Sequence, residues 1–134
     1  MKRGYTFTSY NIQQFLANPE NYNDLMIIYK ELTESDCVKL AAVLMNNTTL
    51  TQLNISSNKI GDEGAANLAK GLQDNTTLTK LNIGYNKIGD KGASALAESL
   101  HGNTTLKILN LSGNEIGDEG AANLAKGLQD NTTL

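Results

Sequence analysis

The tetrapeptide Asn-Thr-Thr-Leu occurs four times, at Asn47–Leu50, Asn75–Leu78, Asn103–Leu106 and Asn131–Leu134, always 28 residues apart. This fixed period constrains the fold more than any other property of the 134-residue chain. It requires one supersecondary unit stacked on copies of itself, each packing on its neighbours along a single axis. With no Trp and 5% aromatic residues, the core of such a stack must be aliphatic.

Aligned on the leucine of the tetrapeptide, the units read Leu50-x-x-Leu53-x-Ile55-x-x-Asn58-x-Ile60, Leu78-x-x-Leu81-x-Ile83-x-x-Asn86-x-Ile88 and Leu106-x-x-Leu109-x-Leu111-x-x-Asn114-x-Ile116. Leu53 and Ile55, two apart, point to one face of a strand, and Asn54 points to the other. Ile60-Gly61-Asp62-Glu63-Gly64 then predicts a turn, with carboxylates at a helix start where the positive end of the dipole favours them. Ala65, Leu68, Ala69 and Leu72 form one apolar helical stripe. Asp74-Asn75 predicts its end, through an asparagine in the left-handed conformation. Unit two repeats the stripe as Ala93, Leu96, Ala97 and Leu100, and unit three as Ala121, Leu124, Ala125 and Leu128.

This pattern resembles the leucine-rich repeat family. The 28-residue unit with a full outer helix is similar to the ribonuclease-inhibitor-like class, which also forms repeat regions of NOD-like receptors and some bacterial effectors. The fold the resemblance implies is an α/β solenoid, with a curved parallel sheet on the concave side, helices on the convex side and an N-terminal helical cap. Within one domain spanning 1–134, residues 1–21 are the cap, 22–49 a degenerate repeat, and 50–77, 78–105 and 106–133 regular repeats. In the degenerate unit Tyr22, Leu25, Ile27 and Leu32 take the leucine positions, while Lys30 stands where the turn asparagine belongs and Asp36 where the glycine belongs. Upstream, Ile12, Phe15 and Leu16 predict a short capping helix that stops before Asn18-Pro19. Leu134 is the first leucine of a strand that does not follow in this sequence. An uncapped end is expected there, with Leu109, Leu111, Ile116, Leu124 and Leu128 exposed and a bare edge on strand 108–111. That implies either a longer array or burial of the end in a homo-oligomer.

Composition narrows the function. Net charge is −3, and the 11 basic and 14 acidic residues are well mixed, so no cationic cluster suited to nucleic acid is present. No apolar run approaches a membrane span, and no signal peptide is read after Lys2-Arg3. The expected setting is cytoplasmic where the chain is made, with signal-independent export left open. Cys37, the single cysteine, aligns with Ala65 on the helix stripe and is read as a small buried residue. His101, the single histidine, aligns with Gln73 near a helix end and is read as a solvated position. Asn-Thr-Thr also fits the N-glycosylation acceptor, but a structural role is favoured for those asparagines. Asn58, Asn86 and Asn114 are expected, by the resemblance, to form a ladder of side-chain amides satisfying buried backbone groups. No reaction centre, cofactor or metal site emerges, and the chain is not expected to be an enzyme.

What remains is the concave surface, where a protein partner is expected to dock. The residues assigned to it are Asp24, Met26, Ile28 and Tyr29 in the first unit, Gln52, Asn54 and Ser57 in the second, Lys80, Asn82 and Tyr85 in the third, and Ile108 and Asn110 in the last. Tyr29, Tyr85 and Ile108 stand out against a small polar background, and aromatic residues dominate binding energy where they occur. Three functions follow as expectations: a non-catalytic protein-interaction module, a self-associating repeat piece, or the recognition part of a larger effector or signalling protein whose activity lies elsewhere.

Overall fold

The computed structural model describes residues 8–129 and 131. Five parallel strands form one sheet in sequence order: β1 (Thr8–Ser9), β2 (Asp24–Met26), β3 (Gln52–Asn54), β4 (Lys80–Asn82) and β5 (Ile108–Asn110). Between and after them run α1 (Ile12–Ala17), a 3₁₀ turn (Pro19–Asn21), α2 (Glu34–Asn46), α3 (Gly61–Gln73), α4 (Asp90–Gly102) and α5 (Asp118–Leu128). Leu25, Leu53, Leu81 and Leu109 are register partners across β2 to β5, so the aliphatic ladder is one continuous sheet. The first three of these leucines are at most 2% exposed, while Leu109 is half-buried. Helices α2 to α5 pack side by side behind the sheet, each touching the next. Their stripes close the core: Leu40 and Leu44, Leu68 and Leu72, and Leu96 and Leu100 are buried, while Leu124 and Leu128 are half-buried.

Beyond each three-residue strand, asparagine side chains join the backbone pairing on both sides. Asn86 Nδ2 donates to the carbonyls of Ile55 (3.0 Å) and Gly84 (3.1 Å), and its Oδ1 accepts from Asn58 N (2.9 Å) and Ile60 N (3.4 Å). Asn58 and Asn114 repeat the arrangement one unit either side. A second ladder runs through the tetrapeptide asparagines. Asn75 Oδ1 accepts from Thr77 N (3.0 Å) and Leu78 N (2.7 Å), and Asn75 Nδ2 donates to Leu44 O (2.8 Å). This corrects the left-handed helix ending expected there. The positive-φ residues do not include Asn75; it ends the helix as an Asx turn that also reaches the preceding unit. Asn47, Asn75 and Asn103 are buried with their amides committed, which is the structural role favoured for them over glycan attachment.

The degenerate first unit departs from the others where its sequence does. Thr33 and Asp36 form a capping box at the start of α2, with Thr33 Oγ1 accepting from Asp36 N (3.1 Å) and Asp36 Oδ2 from Thr33 N (3.0 Å). Lys30 stands in the asparagine position and offers its backbone N–H to Asn58 Oδ1 at 2.9 Å. The capping helix α1 forms where expected and buries Phe15 completely, its ring 6.0 Å from that of Tyr22. Strand β1 is an addition the period gave no sign of, because it belongs to no repeat; Thr8 pairs with Asp24 and Ser9 with Leu25. Leu134, on which the expectation of an uncapped end rested, lies outside the described residues.

Candidate functional site: the concave bay and its tyrosine rim

The alternate residues of the strands face the concave side in register. One row runs Asp24, Gln52, Lys80, Ile108, and the next runs Met26, Asn54, Asn82, Asn110. All eight line a shallow bay of about 250 Å³. Its polar side chains are ordered by the backbone. Asn54, Asn82 and Asn110 each turn Oδ1 onto the N–H two residues on, at Ser56 (3.1 Å), Gly84 (3.0 Å) and Ser112 (2.9 Å). Asp24 Oδ2 accepts from Thr8 Oγ1 at 3.4 Å, while its buried Oδ1 has no partner among the described residues.

The rest of the expected surface lies in a second groove of about 370 Å³, lined by Tyr29, Ser57 and Tyr85 together with Lys59, Lys87, Gly113 and Glu115. Ile28 is half-buried and lines neither depression. Lys59, Lys87 and Glu115 were missed by the sequence reading. The signal that would have found them is the turn itself: the chain crosses the left-handed region twice per unit, at Tyr29 and Glu31, Ser57 and Lys59, and Tyr85 and Lys87, with φ between 52° and 61°. That conformation costs non-glycine residues roughly 1 kcal/mol each and persists where the surroundings enforce it. Here the asparagine ladder enforces it, and sheet pairing runs on into the turn, with Tyr85 N donating to Ser112 O at 2.8 Å. Both tyrosines project into solvent, Tyr29 at 79% and Tyr85 at 63% exposure. The Tyr85 ring covers Gly113 and leaves no room there for a Cβ.

The acidic pair at the helix start does more than complement its own helix. Asp62 Oδ1 accepts from Gly89 N (2.7 Å) and Gly92 N (2.8 Å), capping α4 of the following unit, and Asp90 does the same for Gly117 and Gly120 of α5. On the convex side His101 opens onto a cleft of about 420 Å³ shared with Glu98, Lys126 and Ser94. Ser94 is a hydroxyl the sequence did not place near His101, but its Oγ donates to Asp90 O (2.9 Å) and accepts from Asn123 Nδ2 (2.7 Å), so it stays in local bonding. Cys37 is buried, and desolvation, then Asp36 and Glu34, push its thiol pKa up to about 11, the opposite of a reactive cysteine. No group of three or more metal-ligating side chains occurs among the described residues. No helix among them is long and apolar enough to cross a membrane.

A family model described as Leucine Rich repeat matches residues 46–69, 74–97 and 102–125, together more than half of the chain. The chain belongs to the leucine-rich repeat family. No curated protein sequence matches it. Among solved structures it is similar to one titled as actin-binding site 2 of leiomodin-1, with a TM-score of 0.81, 26% identity, and 92% of this chain and 73% of that one covered. It also shares the fold of a tropomodulin C-terminal domain from Caenorhabditis elegans, with a TM-score of 0.78, 13% identity, and 92% and 76% coverage.

Proposed function

We propose that the chain is a non-catalytic protein-interaction module that docks a protein partner on the concave bay and the tyrosine rim beside it. The observation carrying this reading is that Tyr29, Tyr85, Lys80 and Ile108, all exposed, stand on one hydrogen-bonded sheet and its paired turns. Side chains held on a stiff backbone lose little freedom on binding, which favours affinity. A standard interface needs about 800 Å² from each partner, more than three-residue strands supply, so bay and rim act together.

One solved neighbour is titled as an actin-binding site, which makes actin the first partner to test. Co-sedimentation with filaments and size exclusion with monomers address it directly. For any protein the chain captures, Tyr85→Ala combined with Lys80→Glu should abolish capture. Undiminished capture by that double variant would remove bay and rim as the docking face.

A second reading is self-association through the β5 side of the sheet. It rests on Leu109, Leu111, Leu124 and Leu128, which are only half-buried although they continue the core ladder. A strictly monomeric mass by light scattering at high concentration would end it.

A further inference from the structure

The three bay asparagines are not neutral polar filler. Only an oxygen can accept from the N–H groups of Ser56, Gly84 and Ser112, so each Asx turn fixes which end of the amide faces the backbone. The NH₂ ends of Asn54, Asn82 and Asn110 are therefore left over. None of them has a partner among the described residues. The result is a row of donors repeating at the strand spacing of about 4.8 Å. Lys80 stands two residues before Asn82 on the same face and adds a cation to the row. Asp24 lies in register with Lys80 but two strands away, about 10 Å by strand spacing, with neutral Gln52 between. The two charges are too far apart to pair with each other, and the unpartnered Asp24 oxygen is buried, so Lys80 is the charge that the bay offers to a ligand.

We propose that the bay reads a carboxylate: it takes an acidic segment of a partner protein, with one side-chain carboxylate held between Lys80 and Asn82. This rests on the interaction-module reading and names the chemistry of its partner. A carboxylate is acceptor-only when ionised, so it matches a surface that presents ammonium and amide donors.

The test is an NMR titration of the full chain with capped Ala-Ala-Glu-Ala, beside the version with Gln for Glu. The expected result is movement of the side-chain amide signals of Asn54, Asn82 and Asn110, with about tenfold weaker binding for the peptide lacking Glu. Asn82→Asp separates recognition from structure. It keeps the oxygen that Gly84 N needs but removes the NH₂, so the chain should stay folded and lose the peptide. Lys80→Glu, at an exposed position, should do the same. Equal shifts from the Gln-for-Glu peptide, shifts confined to the convex helices, unchanged binding by folded Asn82→Asp, or no shift at all would each overturn the proposal. If a protein partner is still captured through Tyr85 in that case, the interaction-module reading stands and only the carboxylate chemistry falls.

Discussion

Asn86 shows what the period is for at the scale of one residue. It is fully buried, and its side chain satisfies four backbone groups in two neighbouring turns. Unpaired buried polar groups cost about 1–3 kcal/mol each, so Asn86→Ala should destabilise the chain by about 3 kcal/mol or more in chemical denaturation. Alanine there with less than about 1 kcal/mol lost would mean that water replaces the ladder. The rows of left-handed residues give a prediction of opposite sign. Lys59 sits at φ 58° with its side chain in solvent, and glycine adopts that conformation without a Cβ clash. Lys59→Gly should raise stability by about 1 kcal/mol, measured as a shift in denaturation midpoint at constant slope. These two rows explain why Tyr29, Ser57 and Tyr85 were placed with the concave residues from spacing alone yet lie in a separate groove. Alternation holds only while the chain is extended, and these three residues, themselves left-handed, carry their own side chains onto the rim.

At the scale of the element, α4 and α5 are each completed by the unit before them. Glycines at the start of α4 and α5 offer no side-chain cap, and the carboxylates of Asp62 and Asp90 reach across to supply one. Asp62→Ala should therefore cost about 1 kcal/mol and loosen α4 rather than α3, visible as faster amide exchange at Gly89 and Gly92. Asp62→Asn, which keeps an acceptor oxygen, should lose less. Uniform loosening of α3 alone would contradict the assignment. Sequence reasoning attached these acids to their own helix because a capping rule looks a few residues along the chain, whereas the bond closes over 27. The apolar stripes, by contrast, were read correctly from i, i+3, i+4 spacing, because the helix itself enforces that geometry.

For the whole molecule, stability is a sum along one axis, since each helix packs chiefly on its immediate neighbours. The β3–β4 and α3–α4 layers are covered on both sides, while Leu109, Leu124 and Leu128 are half-buried. Hydrogen exchange should follow that gradient: amides of β4 and α4 should be the most protected, and those of α5 should open first. Equal protection from α3 through α5 in a monomeric sample would show that the units unfold as one and that cooperativity exceeds the nearest-neighbour picture. The same axis sets the functional face. Stacking places residues 28 apart side by side, so a bay is assembled from single residues contributed by each unit.

The sequence alone determined the repeat, the leucine ladder, the helical stripes and the turn asparagines. Each follows from a local periodicity or from a motif repeated at a fixed interval, and the repetition makes weak single signals add. Tertiary structure decided what depends on contacts between units. It handed Asp62 to the next helix, added β1 to the sheet and, through the asparagine ladder that holds the left-handed turns, split the expected surface into bay and rim. Those outcomes depend on hydrogen bonds formed between groups distant along the chain, and no window of neighbouring residues contains both partners.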